Sequence, residues 1–511
     1  MKQNRRVTMI NLIAAFVTFA VQILISFWLS PFVVGKIGEE ALGFLNLANN
    51  FVSYASLLAV AINSMACRYI SVSYNQGKKE EAQSYFSSVL FFNLVLSAVI
   101  LMVSLFFIGR IDHFINVSAA LLSQVKLTFL LTFFNMGFSL VGTVYTAAAF
   151  TTNLMHYNSF VQIIANSIKS GAIFLLFLTL PARIYYLSFA TLLAGAVTLF
   201  GNYMITKKLL GDFSVSRKLL DVSKLIQLAR SGFWILISNV SNLLLNGLDL
   251  LLSNWFVSPA IMGRISLAKQ IPFALSNAIG IFSNIFTSAL TKVFAKAGER
   301  SLVDEALEQL RILALIFTVP YAGIVVLGRP FLTLWLNRQT SYSAGQLDEI
   351  YIFMLLTLFD VIVSTYMYSL HSVFIALDRL KKYSLIVFIS SCISVGVTVI
   401  LLKITPLGGY AVTGVSTVVL SVTNGVLIPP LAAELLNLPK TFFLKKELRS
   451  WGLFGILCML FAGICQFFVL QNWGSFMTAV LICAVAGYII SVIVLLKKTE
   501  RKQLLALLKR N

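Results

Sequence analysis

The feature that most constrains this chain is the recurrence of apolar stretches of about 20 residues, the length a helix needs to cross a bilayer. They return with only short interruptions from residue 8 to residue 496. Hydrophobic residues make up 59% of the 511 and charged residues only 11%, with a mean hydropathy of +0.89. A soluble domain carries roughly 25% charged residues. Such a chain has too little polar surface to meet water, so lipid is its solvent and its backbone must be satisfied within helices. The spans fall at 8–30, 41–65, 85–108, 121–149, 158–180, 184–206 and 228–256, then at 261–291, 309–329, 347–376, 383–403, 410–436, 450–471 and 475–496. The fold class read from this is an all-α polytopic membrane protein of about fourteen transmembrane helices.

The net charge of +20 would suggest a nucleic-acid partner in a soluble protein. Here most Lys and Arg sit in alternate short loops and in the tail, for example Lys78, Lys79, Arg217, Lys218, Lys445 and Lys446. That bias sets topology and faces anionic headgroups. It places both termini in the cytoplasm and the chain in the cytoplasmic (inner) membrane, with membrane lipids and no nucleic acid as partners. The first apolar span lacks a small-residue cleavage site and reads as a retained helix. The five cysteines form no CxxC pair, and no HExxH, Walker A or GxSxG motif occurs, so the chain reads as a carrier and not an enzyme.

The chain repeats itself. Ser26-Phe27-Trp28 corresponds to Ser253-Asn254-Trp255, an offset of 227, and the run from Gly43 to Ala48 corresponds to that from Gly263 to Ala268, an offset of 220. Six spans separate the copies, so both have the same orientation, as in a parallel repeat about the membrane normal. The organisation expected is an N-lobe at 1–206, a basic cytoplasmic linker at 207–230, a C-lobe at 228–436, and two further helices with a basic tail at 437–511.

Polar residues recur at helical spacing inside several spans. Helix 5 carries Gln162, Asn166 and Lys169; helix 7 carries Asn239, Asn242, Asn246, Asp249 and Ser253. Helix 8 carries Lys269, Asn277, Gly280, Asn284, Ser288 and Thr291, helix 10 carries Thr357, Asp360, Ser364 and His371, and helix 1 carries Asn11, Thr18, Gln22 and Ser26. Steps of three, four and seven keep each set on one face, which must meet protein or water. A shared polar cavity accounts for them, as does hydrogen bonding between helices. Lys169, Lys269 and Arg264 are the candidates to attract an anionic group, with Gln162, Asn166, Asn246 and Asn277 lining the same space. The alternative for Lys169 is a buried ion pair with Asp249 or Asp360, and that for Arg264 is a reach to the outer interface. Asp249 and Asp360 are candidates to bind Na⁺ or a proton and couple it to transport; no cofactor is expected beyond such an ion.

The segment at 61–82, AINSMACRYISVSYNQGKKEEA, and the basic turn at 371–384, HSVFIALDRLKKYS, join the 6+6+2 plan in a family likeness. The chain resembles the polysaccharide transporters, the O-antigen-type (Wzx-like) oligosaccharide flippases of the multidrug/oligosaccharidyl-lipid/polysaccharide (MOP) flippase superfamily. The resemblance implies two six-helix lobes that open alternately to either side and a substrate of undecaprenyl-diphosphate-linked sugar repeat units. It also implies pathway partners in the form of glycosyltransferases and a polymerase. Two related families compete. Multidrug-and-toxin antiporters usually have twelve helices and an acidic residue in helix 1, whereas here residues 1–37 hold no carboxylate; lipid II flippases carry arginines in helices 1 and 2, whereas residues 7–66 hold none. The topology has a direct check: cysteine tags added at either terminus stay unlabelled by an impermeant thiol reagent in intact cells, and outside labelling would overturn the orientation.

Overall fold

The computed structural model describes residues 17–18, 21, 25, 29–152, 154–211, 219–336, 342–377 and 379–496; side chains at 281, 283–285, 287–289, 291–300, 366–367, 369 and 376 lie outside the description. Among the described residues every regular element is helical. After a helical stretch at 29–37 come α1 (Glu39–Asn75), α2 (Lys79–Gly109), α3 (Ile111–Phe114), α4 (Leu122–Thr151), α5 (His156–Thr179) and α6 (Tyr185–Leu209). Next are α7 (Val222–Asn246), α8 (Asp249–Phe256), α9 (Pro259–Ala268), α10 (Gln270–Leu336), α11 (Ala344–Ala376) and α12 (Leu380–Ile404). The chain continues with α13 (Gly409–Val422), a π-helical segment (Thr423–Leu427), α14 (Ile428–Leu435), α15 (Phe442–Cys465) and α16 (Trp473–Leu495).

Eleven helical spans in the described residues are long and apolar enough to cross a membrane. They coincide with eleven of the fourteen spans expected. Of the others, 8–30 lies largely outside the described residues, while 261–291 and 347–376 are helical over α9 with the start of α10, and over α11. The protein is a multi-pass membrane protein. Large apolar side chains such as Met102 and Phe106 point outward, as lipid-facing residues do.

The ends of the helices follow their sequence. Asp221 caps α7 by accepting from the Ser223 amide at 2.8 Å, and Asn472 caps α16 by accepting from the Ser475 amide at 2.8 Å. Ser343 and Gln346 form a reciprocal capping box at α11. Gly38, at φ +84°, breaks the chain between 29–37 and α1 in a conformation side chains rarely adopt.

Three spans differ from straight helices. Helix 7 is interrupted at Gly247-Leu248, giving α7 and α8, and helix 8 is interrupted at Lys269, between α9 and α10. The third departure is α10, whose 67 residues would measure about 100 Å as a rod. A straight helix would hold residues 282 and 317 about 50 Å apart, yet the Phe282 and Phe317 rings stand 5.8 Å apart between centroids. Gln309 likewise donates to the Phe286 carbonyl. The element therefore doubles back, and the two spans expected at 261–291 and 309–329 form an antiparallel pair.

The chain divides into two compact units, Met1–Ser266 and Leu267–Asn511. In the first, Ile62, Ile70, Phe86, Val144 and Leu228 form a core shared by α1, α2, α4 and α7. The end of the basic segment is docked on α2: Ser84 donates to the Leu219 carbonyl, the Asp221 amide to Ser88, and Tyr85 to Gln227. In the second, Ile279, Leu313, Phe317, Leu358, Leu457 and Phe461 pack together, so the two C-terminal helices close on the α10 hairpin.

The first unit carries a contact that the repeat makes intelligible. Gly43 and Gly263 are counterparts in the two copies, and they meet: a Cβ added at Gly43 would lie 3.0 Å from the Gly263 Cα. One turn along, Asn46 donates to Ser266, again its own counterpart at an offset of 220. Counterpart residues of the repeated stretch thus touch one another within the first unit. The α1–α9 backbones approach so closely because neither glycine has a side chain; a Cβ at Gly263 would stand 2.5 Å from the Glu39 carbonyl oxygen. Gly263→Ala is expected to destabilise this junction by about 1–3 kcal/mol, read as a lower unfolding temperature of the purified protein, while Gly280→Ala, where a Cβ meets nothing within 4 Å, leaves it unchanged.

Candidate functional site

In the first unit the same junction gathers further polar groups. The break in helix 7 frees the Gly247 carbonyl, which accepts from Asn50 Nδ2 at 2.8 Å and from the Tyr54 hydroxyl at 2.5 Å. Interrupted spans are tolerated in lipid where neighbouring side chains satisfy the freed backbone in this way. Asn246 and Asp249 flank the break. Asp249 is 4% exposed, its Oδ2 sealed from solvent, and its carbonyl accepts from Ser253. Asn254 in α8 exchanges bonds with Asn116, accepting from its amide at 2.8 Å and donating to its carbonyl at 3.0 Å, and Trp255 Nε1 donates to the Phe114 carbonyl. Arg264 Nε donates to Glu39 Oε1 at 3.1 Å, with both side chains under one-fifth exposed. That bond joins the first turn of α1, whose positive dipole end favours Glu39 and Glu40, to α9.

Arg264 is thus engaged by a carboxylate, an arrangement that neither sequence alternative anticipated. Glu39 itself went unnoticed because it lies at the start of a span, where an acidic residue reads as an ordinary interfacial charge.

Gln162, Asn166 and Lys169 share one face of α5, as their spacing predicts. Gln162 is exposed, Lys169 is half-buried, and Asn166 Nδ2 is sealed from solvent without a hydrogen-bond acceptor. Phe32 stacks on Phe174 of α5 at 5.5 Å, which places 29–37 beside that helix. Several other intramembrane polar residues bond helices together: Asn93 donates to Asn63 and to the Leu140 carbonyl, Thr132 pairs with Ser188, and Thr206 donates to the Tyr145 carbonyl.

In the second unit, Lys269 and Asp360 come together. Lys269, at the break before α10, is 4% exposed and lies over the Phe273 ring at 5.5 Å. Its ammonium and the Asp360 carboxylate attract one another. Asp360 Oδ1 accepts from Ser364 at 3.3 Å, and Ser364 Oγ accepts from Asn424 Nδ2 at 2.9 Å. Tyr368 approaches both Ser276 and Asp360. Asn424 reaches the chain from within the π-helical segment. There the Ile428 amide bonds to the Thr423 carbonyl, five residues back, just ahead of Pro429 and Pro430, which have no amide proton to give. Single π turns of this kind are frequent at functional sites. The proline pair in an apolar span was the sequence signal that could have found Asn424. Asn277 is exposed, and the side chains of Asn284, Ser288 and Thr291 lie outside the described residues, as do Asn11, Gln22 and Ser26. Among the described residues no cluster of three or more His, Cys, Asp or Glu could hold a metal ion.

Residues 7–298 match the model of the family described as polysaccharide biosynthesis protein. The chain belongs to this family. Among curated relatives, the uncharacterized membrane protein EpsK of Bacillus subtilis (strain 168) is 27% identical over 446 residues, which is 85% of each chain. Among solved structures, the lipid II flippase MurJ in an inward closed conformation superposes with a TM-score of 0.67 at 13% identity, over 94% of this chain and 98% of that one. An inward-facing multidrug resistance transporter of the MATE family, within the MOP superfamily, superposes with a TM-score of 0.64 at 15% identity, over 85% and 94%. At identities this low the superpositions establish a shared fold alone, which is the fold the resemblance implied for this member of the polysaccharide biosynthesis family.

The Glu39–Arg264 pair has a test of its own. Removing either charge leaves the other in a mostly dry site, a loss of about 3–5 kcal/mol for a fully buried pair and less at this exposure. Glu39→Gln and Arg264→Gln are each expected to lower the unfolding temperature. The exchange of both residues (E39R with R264E) is expected to recover part of it, and independent, additive losses would show that the pair does not act as a unit.

Proposed function

We propose that this protein is a flippase that carries undecaprenyl-diphosphate-linked oligosaccharide repeat units across the cytoplasmic membrane, by alternating access, for cell-surface polysaccharide assembly. The observation that carries the reading is the junction within the first unit at which repeated stretches touch through their own counterparts, Gly43 with Gly263 and Asn46 with Ser266, in a member of the polysaccharide biosynthesis family. A parallel repeat that alternates between two states needs contacts of this sort near its axis, strong enough to hold one state and few enough to release.

In this reading the bond from Arg264 to Glu39 fastens the outer side. When it parts, Arg264 exchanges the carboxylate for a substrate phosphate, a partner of the same charge and bidentate geometry. Lys169 and Lys269 supply further positive charge for the diphosphate, and Gln162, Asn166, Asn246 and Asn277 offer hydrogen bonds to the sugars. Asp249 and Asp360 take up the coupling ion, Na⁺ or H⁺. A cation on Asp360 cancels its hold on Lys269 and frees the ammonium for the phosphate, which links ion and substrate through one pair of side chains. Both termini face the cytoplasm, the two lobes are joined by the basic segment at 207–230, and glycosyltransferases and a polymerase act before and after transport.

The test is an in-frame deletion in which surface polysaccharide and undecaprenyl-linked intermediates are measured in the same cells. The expected result is lost polymer with repeat units held on the cytoplasmic side, restored by the wild-type chain. Lys169→Ala and Lys269→Ala, at normal abundance in the membrane, are expected to restore export roughly tenfold less well, the scale of one lost charge-assisted hydrogen bond. Normal polymer and intermediates, with altered sensitivity to cationic drugs, would overturn the reading in favour of an exporter.

A further inference from the structure

Between α15, α11 and the π-helical segment lies a cavity of about 540 Å³, within the usual range for small-molecule sites of roughly 300–1,000 Å³. Its walls are mainly apolar, with Phe359, Val363, Val426, Leu448 and Trp451 among them. The π segment contributes directly, since Gly425 and Val426 line the opening. Four polar side chains interrupt the walls, Thr441 at the start of α15 among them. Lys445 stands exposed about one turn into α15, Glu447 is only 7% exposed, and Ser421 is half-buried. Glu447 Oε1 and Ser421 Oγ are both sealed from solvent and make no hydrogen bond.

A carboxyl group buried without a donor is a costly arrangement, and it persists where something supplies the missing partner. We propose that this cavity binds one zwitterionic aminophospholipid of the surrounding membrane, with its ammonium on Glu447, its phosphate on Lys445 and an acyl chain along the apolar wall. Charge complementarity selects this occupant. A phosphate alone answers Lys445 and leaves Glu447 unpaired. A primary ammonium brings both the opposite charge and N–H donors, and a glycerol ester carbonyl can accept from Ser421. A quaternary ammonium brings the charge but no N–H. The site is separate from the Lys269–Asp360 pair, and the inference stands whether or not the chain is a flippase.

The experiment uses the full chain in detergent with defined lipids added back. Phosphatidylethanolamine is expected to stay bound as a single copy in native mass spectrometry and to raise the unfolding temperature more than phosphatidylcholine or phosphatidylglycerol. Glu447→Gln is expected to weaken retention of phosphatidylethanolamine roughly tenfold, as the loss of one charge-assisted hydrogen bond would, and to abolish the preference among the three lipids. Equal stabilisation of the wild-type chain by all three lipids would overturn the proposal. So would retention of an added polyprenyl phosphate in place of phosphatidylethanolamine. The wild-type lipid series decides by itself if Glu447→Gln does not fold.

Discussion

Hydrocarbon cannot donate or accept a hydrogen bond, and nearly every feature of this molecule follows from that. The backbone closes its bonds within helices, so strands are absent from the described residues. Where a helix breaks, another element must reach the freed carbonyl, as Asn50 and Tyr54 reach Gly247. Side chains obey the same rule. The Asn93 amide nitrogen finds acceptors on α1 and α4, and Glu39 Oε1 finds Arg264. With no water to drive helices together, close packing does the work, and glycines at 43 and 263 let two backbones come nearer than any larger residue would.

The spans were legible in the sequence because the apolar signal is carried by about 20 residues at a time and tolerates local exceptions. Breaks within spans were not, because each depends on one or two residues whose effect is decided by a neighbour far along the chain. Gly247 reads as a tolerated helix glycine until Asn50 and Tyr54 are seen to bind its carbonyl. The repeat was visible as matched words, Gly43 to Ala48 against Gly263 to Ala268, but that the words touch one another is a property of the packing and not of either stretch.

The polar stripes were partly readable for the same reason. Periodicity put Gln162, Asn166 and Lys169 on one face and Asp360 and Ser364 on another, where the two prove to be hydrogen-bonded. It could not say which partner each charge would find. Lys269 and Asp360 lie 91 residues apart and are drawn together by the fold, whereas Asn166 and Lys169 remain on their own helix face. Charges at the ends of spans, such as Glu39, carry no periodic signature at all, and their importance rests on where the next element happens to pass.

The π-helical segment at 423–427 has a consequence for how such a span can change over evolutionary time. One additional residue in a helical turn rotates everything beyond it by about 100°. The face that α14 presents is therefore offset from the one that α13 would dictate if the helix ran on unbroken. A lineage that gained or lost one residue here could turn half a span against its neighbours while leaving its length and hydrophobicity almost untouched. Pro429 and Pro430 would hold the new phase in place, since neither can supply the amide needed to restore a regular ladder. Helix rotation by insertion offers a membrane carrier a way to acquire a different lining without redesigning any side chain.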